Sequence, residues 1–398
     1  MPNGDPLRRE PPFARFLEVL ADPVAEAERQ AAAGRRVIGL VCPNLPEELP
    51  HALGLSPCRV VVRPKPSSRA AEVLQTFACS WVKALLDQAL DGAWAHLHGL
   101  VFPCNTCDSL QNVPDIWRHT VSQPGPEALF SLRFPVDVAT AADAARQLLD
   151  AELAAWCTWL EGRAGCALDP DRLAASARLY NRIRAALRQL QALAGQGRIG
   201  YSLLQAAALS AQVMDREQVA DLLDAAVERA AAAPPSRPED APRLVLAGGY
   251  LDDARLLGWL EQHNAFVVDD DTCALWRSFE PATDLDPADP LADIARRHLR
   301  RSRCPVQVGS GEQRSALLLQ KVRQSDAQGV ILLPYKGCEP HAFDNVLLSE
   351  ALGQLEIPQI TLEIEPHLGN WGQLAVRLEA FLEMISGLEA DLFEAEGG

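Results

Sequence analysis

Short apolar runs bounded by Gly, Pro or Asp recur in the first and last thirds of the chain and are absent from its middle. In the first third, Val37-Ile38-Gly39-Leu40-Val41, Arg59-Val60-Val61-Val62, Gly99-Leu100-Val101-Phe102 and Leu129-Phe130-Ser131-Leu132-Arg133-Phe134 read as strands. Between them the pattern predicts a helix beginning near Pro46-Glu47-Glu48-Leu49 and a longer one from Ala70 to Leu90 that carries Cys79 inside it. From Thr140 to Ala232 an Ala/Leu/Arg-rich periodicity with little Gly or Pro predicts helices alone. The stretch from Ala233 to Pro242 holds four prolines, which lock φ and remove donors, so a boundary falls there. Strand and helix then alternate again: Arg243 to Gly248, a helix from Asp253 to His263, Ala265 to Val268, Gly329 to Leu333, and Gln359 to Leu362.

Alternation of this kind indicates parallel sheets. The expected fold is α/β, with two Rossmann- or flavodoxin-like parallel-sheet domains plus a helical domain. An N-terminal helix and the first α/β domain occupy 1–139, the helical domain 140–232, and the second α/β domain 243–398. The halves align at Gly99 to Phe102 with Pro103 and Cys107, against Gly329 to Leu333 with Pro334 and Cys338: in each, a cysteine lies four residues past the proline that ends the strand. Open α/β sheets bind ligands beyond the carboxyl ends of their strands. Both cysteines fall on that edge, and two such domains facing each other enclose one site.

Composition narrows the chemistry. Thirty-seven basic against fifty-three acidic residues give a formal charge of −16, which repels phosphate backbones and argues against a nucleic-acid partner. No apolar run approaches the length of a membrane span, and the polar stretch Met1 to Glu10 lacks the apolar core of a secretion signal, so a cytoplasmic protein is expected. There the ten cysteines stay reduced, which leaves metal ligation and simple packing as competing readings.

Position separates them. Cys107 precedes Asp108-Ser109 and Cys338 precedes Glu339-Pro340, both suited to open a helix, where unpaired amides and the dipole stabilise a thiolate. Cys104 and Cys107 form a C-x-x-C pair, a spacing shared by redox thiols, zinc and iron-sulfur sites. No second such pair or finger-like histidine spacing supports structural zinc, and the pair follows the third strand rather than opening the first helix as in thioredoxins. Cys42 and Cys273 also follow strands, and Cys304 closes a basic helix; these three are candidate extra ligands in the same crevice, with buried packing as the alternative. Cys58, Cys157 and Cys166 read as packing residues.

Other motifs are missing. There is no phosphate-binding G-x-x-x-x-G-K-[ST] loop, no G-x-S-x-G elbow, and no flavin or NAD fingerprint, although Gly248-Gly249 opens a helix after a strand. His51 and His341 are candidate acids or bases, a lone histidine beside a helix being more often structural. Glu47 and Glu48 read as first-turn residues complementing a helix dipole.

Taken in order, Pro46 to Leu55, Cys79-Ser80, Phe102-Pro103 with Cys107-Asp108-Ser109, Asp115-Ile116-Trp117, Tyr180-Asn181-Arg182, Asp270-Asp271-Thr272-Cys273, Gly337-Cys338-Glu339-Pro340-His341, Ile357-Pro358 and Gly372-Gln373 resemble the 2-hydroxyacyl-CoA dehydratase and benzoyl-CoA reductase family. The resemblance implies a 4Fe-4S cluster held by Cys79, Cys107 and Cys338, with one iron free of protein thiolate. It also implies an acyl-CoA substrate, a homologous second subunit (either another copy or a paralogue) and a separate ATP-hydrolysing activator, which fits the missing phosphate-binding loop. Glu363-Ile364-Glu365-Pro366 departs from the family's acidic pair, and Cys104 is additional to the three-ligand pattern. Relatives with an 8Fe-9S double-cubane cluster, which reduce small molecules under ATP drive, use more thiolates; Cys42, Cys104, Cys273 and Cys304 are the candidates for that variant. A non-catalytic electron-transfer or maturation partner on the same scaffold is the third reading.

Overall fold

The computed structural model describes residues 6–63, 69–104, 108–138, 141–238, 240–251, 253–280, 283, 289–301, 304–366 and 369–396. The first half runs α1 (Pro11–Ala21), α2 (Pro23–Ala32), β1 (Val37–Leu40), α3 (Glu48–Ala52), β2 (Ser56–Arg59), α4 (Ser80–Leu90), β3 (Gly99–Cys104), α5 (Asp108–Gln111), α6 (Val113–Thr120) and β4 (Leu129–Arg133). Four helices follow, α7 (Ala142–Ala164), α8 (Pro170–Gly195), α9 (Tyr201–Val213) and α10 (Arg216–Ala232). The last part holds β5 (Arg243–Gly248), α11 (Arg255–Gln262), β6 (Phe266–Thr272), α12 (Trp276–Phe279), α13 (Pro290–Arg300), α14 (Ser310–Gln324), β7 (Gly329–Leu333), α15 (Glu339–Gly353), β8 (Gln359–Thr361) and α16 (Trp371–Glu396). No helix among the described residues is long and apolar enough to cross a membrane.

The strands form two four-stranded sheets, ordered β2-β1-β3-β4 and β6-β5-β7-β8, and every pairing is parallel. The α/β expectation therefore holds, with the same strand order in both halves. That order places a switch in chain direction between β1 and β3, and again between β5 and β7, where the carboxyl ends open a crevice. Cys42 and Cys104 stand at the first switch; Gly249 and Cys338 stand at the second.

Central to the packing is α9, all 13 residues of which are buried. It belongs to one core that reaches Val41, Leu100 and Phe102 of the first sheet and Leu244, Leu246, Ile331 and Leu333 of the second. The opposite face of the first sheet (Ile38, Leu40, Val101, Leu132) is covered by Leu149, Leu153, Trp156 and Leu160 of α7, and also by Ile294 and Ala295 of α13. The segment after β6 thus returns to the first half, where Val308 N–H donates to Val136 O at 2.9 Å.

Three elements depart from the pattern expected of them. The second strand is Ser56–Arg59 rather than Arg59 to Val62, because its only partner, β1, ends at Leu40; Val60 to Val62 stay buried beyond the ladder. As the edge strand, β2 tolerates Pro57. The strand expected at Ala265 to Val268 runs on to Thr272 through three aspartates. Each is matched: Asp269 by Lys321 at 2.9 Å, Asp270 by the Tyr201 hydroxyl at 2.7 Å, and Asp271 by Arg277 at 2.6 Å and Arg314 at 3.0 Å. The long helix expected from Ala70 starts only at Ser80, with Cys79 as its N-cap.

Candidate functional site

The N-caps of α4 and α15 are Cys79 and Cys338, one from each half of the chain. Their turns are joined through the backbone. Ser80 N–H donates to Lys336 O at 2.8 Å, and Cys79 N–H donates to the Ser109 hydroxyl at 3.0 Å. These amides, which a continuing helix would have used, explain why α4 begins where it does. On the other side, Cys338 N–H donates to Tyr335 O at 2.9 Å and its own carbonyl accepts from Ala342 N–H at 3.0 Å. Gly337 makes the close approach possible: φ is +73°, and a Cβ there would sit 2.8 Å from Phe77 O and 3.0 Å from Ala78 O.

The two thiols are hydrogen-bonded to each other, and Cys338 Sγ also lies 3.7 Å from His341 Nδ1. The bond with Cys79, followed by burial, pushes the Cys338 thiol up to about 12, His341 pulling the other way. Left to itself, the Cys338 thiol keeps its proton; a multivalent cation at the pair is what would remove it. Around them, His341 Nε2, Ser80 Oγ and Trp81 Nε1 are buried with no hydrogen-bond partner among the described residues. Trp81 meets Tyr250 edge to face at 6.2 Å, and Gly249 leaves room beside Tyr335 and His341.

Cys107 lies outside the described residues. Helix α5 starts at the following residue, and Ser109, two residues on, is the acceptor for the Cys79 amide. Among the described residues no three His, Cys, Asp or Glu side chains form a group that could hold a metal.

The other candidate thiols are distributed differently. Cys104 ends β3 opposite Arg133 and is half-buried, with its carbonyl accepting from Phe134 N–H at 3.3 Å. Cys42, Cys273 and Cys304 gather as a separate set. Cys42 is pushed up to about 12, first by burial and in lesser part by the proximity of Cys304 and Cys273. Arg277 Nη1 donates to Cys273 Sγ at 3.3 Å, and Arg301 donates both to Pro43 O, at 2.8 Å, and to Arg277 O. Cys58 and Cys157 are buried as expected, whereas Cys166 is exposed at the turn after α7 and packs nothing.

Two sequence readings gain detail. Glu48 does stand in the first turn of α3, and it is also fully buried, ion-paired with Arg184 and 3.8 Å from Arg297. His51 is remote from the thiols. It lines a cavity of about 620 Å³ beside Ser56, which starts β2 at the amino edge of the first sheet. There its Nδ1 is 2.9 Å from Ser176 Oγ and its Nε2 3.2 Å from Glu217. Ser109 reads in the sequence as part of a helix start and Gly337 as a neighbour of Cys338, but their parts in joining the two turns show only in the fold; a glycine directly before a candidate ligand was the available signal for the second.

Comparison with known proteins agrees with the span of the resemblance. The family model described as 2-hydroxyglutaryl-CoA dehydratase, D-component, matches residues 42–385. The lactoyl-CoA dehydratase subunit beta of Anaerotignum propionicum is 24% identical over 382 residues, covering 95% of this chain and 100% of its own. The (R)-2-hydroxyglutaryl-CoA dehydratase subunit beta of Acidaminococcus fermentans is 24% identical over 93% of this chain and 98% of its own. A benzoyl-CoA reductase subunit of Thauera aromatica is 24% identical, covering 90% and 92%.

Proposed function

Because the chain belongs to the 2-hydroxyglutaryl-CoA dehydratase D-component family and is an enzyme subunit of the dehydratase and reductase type, we propose that it is the iron-sulfur subunit of such an enzyme, acting on an acyl-CoA. The observation that carries this reading is the meeting of Cys79 and Cys338 at two helix starts, drawn from opposite halves. With Cys107 they make three thiolate donors, a set suited to a 4Fe-4S cluster with one iron left without a protein ligand. When bound, such a cluster supplies low-potential electrons and a Lewis-acidic iron.

The chain's own residues set the conditions. The backbone bond from Ser80 to Lys336 fixes the two turns relative to each other, and Gly337 lets them approach. Trp81, buried beside Tyr250, keeps water from the thiols. His341 holds its Nδ1 toward Cys338 and leaves Nε2 toward the space beside Gly249, where it can give or take a proton. A cytoplasmic location and an external ATP-hydrolysing activator complete the reading, since no phosphate-binding loop is present in the sequence.

The relatives are each named as one subunit of a larger enzyme, and a partner of the same fold is part of the proposal. Helix α15 supports it. Its inner face buries Leu348, Leu352 and Asp344, the last paired with Arg314, while its outer face leaves Phe343 75% and Val346 56% exposed. A double-cubane cluster is the second reading: Cys42, Cys273 and Cys304 lie within electrostatic reach of one another, although as placed they form no metal-holding group.

The deciding experiment is iron and sulfide content of protein purified without oxygen, with an electron paramagnetic resonance spectrum after dithionite reduction. Roughly four irons per chain support the three-cysteine cluster and roughly eight the double cubane. No iron overturns both and leaves a scaffold that has lost the chemistry.

A further inference from the structure

His341 stands in the first turn of α15, three positions after the N-cap Cys338, a spacing that brings the two side chains to one face of the helix start. Its ring is 7% exposed, and Nδ1 lies 3.7 Å from Cys338 Sγ. The other nitrogen, Nε2, is buried and makes no hydrogen bond among the described residues. It faces the space beside Gly249, where an added Cβ would stand 3.8 Å away.

This is a poor arrangement for a histidine kept only for packing. A buried ring nitrogen without a partner is destabilising, and a leucine or phenylalanine fills such a position without that cost. Among the described residues the one hydrogen-bond partner of the ring is sulfur, so whatever the imidazole contributes beyond bulk passes through Cys338.

The state of that sulfur decides how strong the contact is. A protonated thiol is a weak partner, whereas a metal-bound thiolate carries charge and accepts strongly. It also has no proton to give, so the shared proton must then stand on Nδ1, which makes the ring the donor and leaves Nε2 bare. The pull of His341 on the Cys338 thiol has the matching sign: it favours sulfur without its proton, against burial and against Cys79.

Hydrogen bonds to the ligand sulfurs are among the features that set the reduction potential of an iron-sulfur cluster. Reduction adds one negative charge, part of which falls on the thiolates, so a donor aimed at one of them stabilises the reduced form more than the oxidised one. Dry surroundings strengthen the effect, and Trp81 and Tyr335 beside the pair are 8% and 6% exposed.

We propose that His341, by donating Nδ1–H to Cys338 Sγ, raises the reduction potential of the iron-sulfur cluster that Cys338 holds. This rests on the iron-sulfur reading above and deepens it, giving His341 a part exercised through its neighbouring ligand.

The test is a potentiometric titration of the full chain, purified without oxygen and followed by the electron paramagnetic resonance signal of the reduced cluster. His341→Leu and His341→Phe remove the donor with side chains of two sizes, and His341→Asn keeps an N–H near the position of Nδ1. The expected result is full iron content in all three, with the midpoint lower by about 59 mV or more in both donor-free variants, a tenfold or larger change in the one-electron equilibrium. His341→Asn should stay close to wild type. An unmoved midpoint in His341→Leu and His341→Phe overturns the proposal, and so does an equal fall in His341→Asn, which would make ring bulk the cause. Loss of iron from both donor-free variants overturns it as well, since His341 would then hold the cluster in place rather than set its potential. Wild type separates the two readings: iron present with an unmoved midpoint in the variants sinks the tuning alone, and wild type without iron sinks the cluster and the tuning with it.

Discussion

Ser80 N–H donates to Lys336 O across the two halves of the chain at 2.8 Å, one residue after Cys79 and two before Cys338. The bond is short because the intervening Gly337 has no side chain to separate it from Phe77 and Ala78. Gly337→Ala adds a Cβ at 2.8 Å from a backbone oxygen and forces a left-handed φ on an L-residue, a strain of about 1–3 kcal/mol. The variant should therefore melt several degrees lower, and, if the thiols hold a cluster, retain less iron than wild type after gel filtration. A melting curve and iron content equal to wild type would show that the turns do not need this contact.

Replacement of thiols tests the ligand set directly. Cys338→Ala, Cys107→Ala and Cys79→Ala should each abolish cluster binding, measured as iron per chain and as the reduced-state resonance signal. Cys157→Ala, a buried packing position in α7, should keep its iron and lose only stability. Iron retained in any of the first three would remove that residue from the site. Single replacements of Cys42, Cys273 and Cys304 distinguish the two cluster readings, because their set is linked to Arg277 and Arg301 rather than to Cys338.

The same residues show how far the sequence could be read. Seven of the eight strands were visible as apolar runs, because parallel strands in a covered sheet need no alternation; the second was expected on Val60 to Val62, just beyond its true ladder. Boundaries failed where tertiary partners overrode local preference. Asp269, Asp270 and Asp271 extend β6 because Lys321, Tyr201 and Arg314 reach them from helices far along the chain, and Arg277 from the helix just after the strand. Cys79 read as helix interior because the two bonds that stop the helix, to Ser109 and Lys336, come from segments 30 residues away or more. Its position at a helix start, the same signal that singled out Cys338, became visible only with the fold. The burial of Glu48 was hidden for a like reason, since Arg184 and Arg297 are supplied by α8 and α13.

The outward face of α15 predicts association. Phe343 and Leu347 are 75% and 47% exposed one helical turn apart, on a helix whose Asp344 points inward to Arg314. Purified without a partner subunit, the chain should pair through this face with a second copy. The double variant Phe343→Glu with Leu347→Glu should then sediment as a monomer while melting at the wild-type temperature, because neither side chain is buried in the fold. A wild-type chain that stays monomeric near 100 µM (roughly the concentration at which a weak dimer forms), or a variant that associates as well as wild type, would move the interface elsewhere.

Glu48 predicts a pH-dependent stability. Burial alone would raise its pKa, but Arg184 and Arg297 outweigh that and hold it at about 2, below the ordinary 4.5. A carboxyl whose pKa is lower folded than unfolded stabilises the fold fully above the unfolded value, and loses that contribution as pH falls from about 4.5 toward 2. Glu48→Gln leaves two guanidinium groups buried with their counter-charge gone, a cost of about 3–5 kcal/mol at neutral pH. Urea melts at pH 7 should show that deficit, and melts at successively lower pH should show it shrinking, because the wild type then loses what the variant already lacks. A gap between the two proteins that stays constant from pH 7 to pH 3 would mean that the Glu48 charge does not stabilise the fold, and that its role at the junction of α3, α8 and α13 is one of shape.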